Sequence, residues 1–295
     1  MIKVIDLQFL GLTQAIASFL IITDDGPLLI ETGPASTLKA LKKGILEAGH
    51  QPEDIKHVFI THIHLDHAGA AWWFAERGAT IYMHPKGLPH MKDPSKLMDS
   101  AKRIYQEKMD SLWGPMNAIK HEQIKGVEDG EQIEVGNNKI HAWHTPGHAV
   151  HHVAWQWEDN LFTGDVAGVK IAKGPVVPPC PPPDINLEDW NSSIEKIMQL
   201  PVKDLYLTHF GKVADKRGHL QQLKYILNDW ANWIKKRWEE GRDVQSVVPD
   251  FQKYVSSQLK DKGVDETGIQ QYEAANPSWM SVSGIMRYWE KTIKS

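Results

Sequence analysis

Apolar residues along this chain fall into two regimes. As far as Gly211 they form short runs bounded by turn residues and interleaved with amphipathic stretches; beyond it only helical spacing remains. Residues 2–10, 17–22, 27–31, 57–60 and 80–84 read as strands, with Asp24-Asp25-Gly26 joining the second and third as a hairpin. Leu38, Leu41, Ile45 and Ala48 recur at helical spacing over 35–48, where Ser36 can cap the start and Gly49 can end the helix. A second helical stretch over 95–112 is a long excursion between strands. Strands return over 123–165, with turns at Asp129-Gly130, Gly136-Asn137 and Asp159-Asn160. The proline-rich stretch 174–183 is a stiff connector into a helix capped by Asn186, with Glu188 and Asp189 in its first turn, where the helix dipole favours anions. Leu220, Leu223, Ile226, Leu227, Trp230, Ile234 and Trp238 then form one apolar stripe, and further helices are expected as far as Lys294. This order predicts an α/β fold of sheets flanked by helices, with a helical tail.

One polar segment is poorly explained by packing. Thr61-His62-Ile63-His64-Leu65-Asp66-His67 follows directly on the apolar run 57–60. Histidine is seldom buried without a partner, and ionised aspartate almost never is. Imidazole with carboxylate is the donor set that a borderline divalent metal such as zinc selects. If His62 and His64 continue the strand, their side chains share a face and can share one ion. Asp66 and His67, beyond the turn, can reach a second point, so the cluster could serve two metals. The alternative is a polar loop with unrelated histidines. Three further apolar runs end on a candidate ligand: His148 after Thr145-Pro146-Gly147, Asp165 after Thr163-Gly164, and His209 after Thr208. Each alone could be a cap or a surface turn; together with the tetrad they form a set.

In order and type this set resembles the metallo-β-lactamase superfamily. His62, His64, Asp66 and His67 match its His-x-His-x-Asp-His signature, and His148, Asp165 and His209 follow in the expected order. The match spans residues 2–212. It implies a four-layer αββα sandwich over 1–212, with 213–295 as a helical C-terminal extension packed on it. It also implies two divalent metal ions, held by His62, His64 and His148 and by Asp66, His67 and His209, with Asp165 bridging. Zinc is the expected metal, iron or manganese the alternatives. Within the superfamily the chain looks most like small bacterial and archaeal hydrolases related to lactonases and glyoxalase II. Many true β-lactamases use a cysteine at the second site or lack the bridging aspartate. Here Asp165 is present, and the single cysteine, Cys180, sits among prolines as an ordinary loop thiol, so antibiotic cleavage is not favoured. Where relatives carry an aspartate near the ligands this chain has Glu31, which can still orient a ligand histidine or can signal altered geometry. Lactonase relatives often place a tyrosine three residues after the bridging aspartate; that position is Gly168, so an oxyanion donor is absent or supplied elsewhere.

Composition narrows the function classes. The 295 residues carry a net charge of -4 and a pI of about 6.4, which speaks against a nucleic-acid-binding surface. One cysteine permits no internal disulfide and suits a reducing cytoplasm. The first residues lack the basic start and unbroken apolar core of a signal peptide, and no run reaches the ~20 apolar residues of a membrane span. The expected setting is cytoplasmic, with a small-molecule substrate and neither nucleic acid nor membrane as partner; a homodimer through the tail stays open. Among the 12 tryptophans, Trp72 and Trp73 follow the tetrad, and Trp113, beside Gly114-Pro115, is the candidate pocket wall. Lys170 could hold an anionic group, and His151 or His152 could donate to an oxyanion. The expected reaction is hydrolysis of an ester, lactone or thioester by a hydroxide bridging two metals, with Asp66 orienting it and carrying a proton. The alternative is an iron-dependent, oxygen-using enzyme of the persulfide dioxygenase kind on the same ligands; a nuclease or a non-catalytic metal-binding protein comes after it.

Overall fold

Side chains on a strand point alternately to its two faces, and the period-two pattern here sorts them into separate cores. The computed structural model describes residues 1–293. The first sheet runs in spatial order β1 (Ile2–Asp6), β2 (Ala17–Thr23), β3 (Gly26–Ile30), β4 (His57–Phe59), β5 (Thr80–Met83) and β6 (Ile124–Gly126). The second is built from β7 (Gln132–Val135), β8 (Asn138–His144), β9 (Val153–Trp157), β10 (Asn160–Gly164), β11 (Asp204–Leu207) and β12 (Gly211–Val213), ordered from β12 back to β7. In the first sheet β3 to β6 are parallel; in the second only the β10–β11 pair is.

The alternation is direct. Ala17, Phe19 and Ile21 of β2, Phe59 of β4, Trp155 of β9, Phe162 of β10 and Tyr206 of β11 meet in the core between the sheets. Leu20, Leu29, Val58 and Ile81 point the other way, into a core shared with α1 (Leu38–Leu46), α3 (Ala71–Ala75) and α5 (Ser95–Tyr105). Also on this side are the short helices α2 (Leu65–Ala68), α4 (Leu88–Lys92) and α6 (Met109–Leu112). On the outer face of the second sheet, Ala154, Leu161 and Leu205 share a third core with α7 (Leu187–Gln199), α8 (Lys216–Glu239), α9 (Val244–Asp261), α10 (Glu266–Ala275) and α11 (Ser278–Ile293). Three cores between four layers make this the αββα sandwich, with the helices after β12 seated on the second sheet. Among the described residues no helix is long and apolar enough to cross a membrane.

Local chemistry corrects three expectations. The strand expected over 2–10 stops at Asp6, whose carboxylate accepts the N–H groups of Gln8 (3.0 Å) and Gln14 (2.8 Å) and turns the chain. Ser36 does not cap the helix after it: a 3₁₀ turn intervenes, and the Ser36 hydroxyl donates to the Leu112 carbonyl instead (2.6 Å). Residues 95–112 are two helices, because Gln106 leaves helical geometry directly after Tyr105. Asn186 does cap α7, its side-chain oxygen accepting from Asp189 N–H at 2.9 Å.

Helix α11 reaches the proline-rich connector at Gly284, where an added Cβ would overlap the Cys180 carbonyl oxygen. Helix propensity alone would favour Gly284→Ala by about 1 kcal/mol. The overlap is expected to reverse that sign, with a net loss of about 1–3 kcal/mol and a lowered thermal midpoint. A raised midpoint would mean that α11 is not held against this loop.

Candidate metal centre

The seven candidate ligands come from four places at one end of the two sheets. Beyond β4 the chain leaves strand geometry, so His62 and His64 lie in a loop rather than on the expected strand extension. They converge because that loop is pinned across the sandwich: Val153 N–H donates to the Thr61 carbonyl (2.8 Å) and the Trp155 indole to the Ile60 carbonyl (3.1 Å). Asp66 and His67 sit on α2, whose His67 carbonyl accepts from Thr32 N–H at 2.9 Å. His148 follows β8, Asp165 follows β10, and His209 lies in the turn from β11 to β12. Gly164 must be glycine: its φ is +49°, and a Cβ would run into Thr61 and His152.

Two trios result. His62 Nε2, His64 Nδ1 and His148 Nε2 lie 2.8–3.2 Å from one another. Asp66 Oδ2 lies 3.6 Å from His67 Nε2 and 3.4 Å from His209 Nε2. Asp165 stands between them, with Oδ2 3.3 Å from His148 Nε2 and Oδ1 3.3 and 3.4 Å from His67 and His209 Nε2.

The opposite nitrogen of each ring decides which atom carries a lone pair. His148 Nδ1 donates to the Pro179 carbonyl (2.8 Å) and His209 Nδ1 to the Ala15 carbonyl (2.6 Å). His67 Nδ1 donates to Glu31 Oε1 (3.0 Å), and His62 Nδ1 to the Thr61 hydroxyl (3.1 Å), which itself donates to Glu31. Glu31, fully buried and at φ +62°, thus anchors both trios, and it also accepts from the Thr208 hydroxyl at 3.4 Å. In the neutral rings the Nε2 lone pairs of His62 and His148 then face each other at 3.2 Å. His67 Nε2, His209 Nε2 and Asp165 Oδ1 are buried with no hydrogen-bond partner among the described residues. The facing lone pairs of His62 and His148 repel unless a cation lies between them, and unpartnered buried polar atoms are costly, so this donor set fits divalent metal ions.

Charge divides the two trios. Burial, reinforced by the neighbouring rings, holds His62 and His64 well below the usual imidazole pKa and so in the neutral form that ligates. At His67 burial opposes charging, but Asp165, Asp66 and Glu31 overcome it and hold the pKa well above the usual value. Burial likewise works against Asp66 ionising, yet His67 and His209 bring its pKa down to about 2.

The other candidates have different places. His152 is behind the ligands: its Nδ1 donates to the Thr145 hydroxyl (2.8 Å) and its Nε2 accepts from the Asp165 N–H (3.2 Å). His151 is buried with its ring 6.0 Å from that of His64 and its Nε2 3.9 Å from Asp184 Oδ2. Lys170 enters through its backbone, whose N–H donates to the His209 carbonyl (2.6 Å). Trp113 stacks on Phe9 at 5.5 Å and meets the edge of Tyr105 at 5.2 Å. Burial, and then Asp165, push the Cys180 thiol well above its ordinary pKa, which leaves it unreactive. Sequence reasoning missed Thr61, Thr145 and Thr208. The threonines had a visible signal, since Thr61 and Thr208 directly precede ligand histidines.

Comparison with known proteins agrees with this geometry. A metallo-β-lactamase fold-containing protein of Sulfurisphaera tokodaii is 28% identical over 183 residues, 58% of this chain and 67% of its own length. A hydroxyacylglutathione hydrolase of Vibrio cholerae is 27% identical over 161 residues, 53% of this chain and 48% of its own. The chain therefore spans about half to two thirds of the length of these relatives. A metallo-β-lactamase family protein of Thermus thermophilus shares the fold, with a TM-score of 0.65 at 19% identity, over 99% of this chain and 93% of that one. The family model described as the metallo-beta-lactamase superfamily matches residues 13–209, more than half of the chain and every candidate ligand, and the protein belongs to that superfamily.

Proposed function

We propose that the protein is a hydrolase dependent on two divalent metal ions, zinc first among them, that cleaves a carboxylic ester, lactone or thioester of a small molecule. The observation that carries this reading is Asp165, whose two carboxylate oxygens face different trios within 3.4 Å. Bound there, a metal pair supplies an activated water and a Lewis acid for the carbonyl oxygen. Glu31, Thr61 and His152 hold the ligand side chains in register, so little reorganisation accompanies the reaction. Asp66 is the carboxylate of the set that also meets solvent, its side chain being 21% exposed. It can hold at a carboxylate oxygen the proton of the attacking water and hand it to the departing atom. A carboxyl with a pKa near 2 is a weak base and is seldom protonated. That favours leaving groups needing little protonation, a thiolate or a phenolate ahead of a simple alkoxide. The hydroxyacylglutathione hydrolase among the relatives supports the same preference.

Three outcomes are expected. Asp165→Ala should hold fewer than two metal ions per chain, by elemental analysis, and lose at least about 100-fold in kcat/KM on the best member of a panel of thioesters, aryl esters and lactones. Two ions with full activity would refute the assignment of Asp165, and one iron with oxygen uptake would refute the hydrolase. Glu31→Ala, which frees the His67 and Thr61 anchors, should weaken metal binding roughly 10- to 100-fold, read by competition with a chromophoric chelator. Finally, the raised pKa of His67 means that a metal displaces a proton at neutral pH. Zinc uptake should release protons, measured calorimetrically in buffers of different ionisation enthalpy, and affinity should rise with pH until His67 is neutral in the metal-free protein. Affinity independent of pH between 6 and 8 would contradict this charge assignment.

A further inference from the structure

Six of the ten residues from Gly174 to Pro183 are proline, which has no N–H to give. A segment of this composition can do little to hold itself by backbone pairing, so donors from elsewhere must meet its buried carbonyls. They come from two directions. From the metal centre, His148 Nδ1 donates to the Pro179 carbonyl (2.8 Å). From the helical tail, the Tyr272 hydroxyl donates to the Pro175 carbonyl (2.6 Å) and the Asn276 amide to the Pro178 carbonyl (3.1 Å). Ser281 of α11 accepts the Cys180 N–H (3.4 Å) and donates to the Asn276 side-chain oxygen (3.1 Å).

The same segment is tied to two more ligands. Val169 and Val177 exchange N–H···O bonds (2.8 and 2.9 Å), closing residues 169–177 into a hairpin. Its first arm leaves Asp165 through a turn, in which Gly168 N–H donates to the Asp165 carbonyl (2.9 Å), and then gives the Lys170 N–H to the His209 carbonyl (2.6 Å). Its second arm runs on to Pro179 and so to His148. Tyr272 of α10, 3% exposed, closes the tip: its hydroxyl accepts the Ile171 N–H (3.1 Å) while donating to Pro175. Gly174 makes room for it, since a Cβ at that position would overlap the hydroxyl oxygen. Asp165, His148 and His209 therefore share one hairpin, and one hydroxyl from the tail spans its tip.

We infer that Tyr272 is a positioning residue of the metal centre, acting through the hairpin 169–177 on the supports of Asp165, His148 and His209. This rests on the two-metal reading above. Without the hydroxyl, the Ile171 N–H and the Pro175 carbonyl lose their partner and the hairpin loosens. The Pro179 carbonyl that fixes the His148 ring, and the Lys170 N–H that holds the His209 main chain, then lose their fixed places. Asn276 acts on the same arm one step nearer to His148. The helical tail is thus part of metal binding, although it supplies none of the seven candidate ligands.

Tyr272→Phe keeps the ring and removes only the hydroxyl. Asn276→Ala, which frees the Pro178 carbonyl, is the second variant. Tyr254→Phe is the control: it removes a buried-side hydroxyl of the tail that donates to Asp229 of α8 (2.6 Å). The full-length chains are compared by zinc affinity, in competition with a chromophoric chelator, by the visible spectrum after cobalt(II) loading, and by thermal midpoint. Tyr272→Phe and Asn276→Ala should each bind zinc roughly tenfold more weakly and show an altered cobalt spectrum. Tyr254→Phe should lower the midpoint and leave affinity and spectrum as in the wild type. Unchanged affinity and spectrum in both Tyr272→Phe and Asn276→Ala would overturn the inference, and so would an equal loss of affinity in Tyr254→Phe. A wild type that holds one ion, whose affinity still falls in Tyr272→Phe, would overturn the two-metal reading and leave the role of Tyr272 standing. A wild type that binds neither zinc nor cobalt would overturn both.

Discussion

The structure depends on holding a dense cluster of buried polar groups together at one point. Five imidazoles and two carboxylates converge at one end of the sandwich, with lone pairs of His62 and His148 3.2 Å apart and buried atoms of His67, His209 and Asp165 unpartnered. Orphaned buried polar atoms cost free energy comparable to lost hydrogen bonds, so the surrounding fold must offset that cost until ions do. The offset comes from behind. Glu31 receives His67 directly and His62 through Thr61, and backbone carbonyls of Ala15 and Pro179 receive His209 and His148.

These supports also join the two halves of the sandwich. Ala17 of β2 donates its N–H to the Thr208 carbonyl at the end of β11, and the Thr61 carbonyl receives Val153 of β9. The aromatic core between the sheets, with Phe59 against Trp155 at 5.1 Å and Phe19 against Phe162 at 5.3 Å, lies directly beneath. The centre is thus a seam, with four ligands from the first sheet's side and three from the second's. Packing that holds the sheets in register also fixes the distance between the trios, the quantity a two-metal reaction is sensitive to.

Much of this could be read from residue order. The hairpin at Asp24-Asp25-Gly26, the stripe from Leu220 to Ile234 and the Asn186 cap depend on neighbours within a few residues, and each formed where its spacing placed it. The reading failed where a distant partner outcompeted the local one. Ser36 suits a helix cap, but the Leu112 carbonyl captures its hydroxyl from 76 residues away. His62 and His64 were expected on a strand extension; hydrogen bonds from β9 hold them in a loop instead. His152 looked like an oxyanion donor, yet its nitrogens are engaged with Thr145 and Asp165.

By itself the sequence determined the donor set and its order, because metal affinity is a property of residue type, and it determined the alternation that makes strands, because that is a property of near neighbours. Tertiary structure alone decided that Asp165 splits its two oxygens between the trios and that Glu31 reaches His67. It alone brought the rings of Tyr105 and Trp279, 174 residues apart in the chain, within 6.3 Å of each other. Those are distances between groups remote in sequence, set by how two sheets and their helices pack, and no local pattern encodes them.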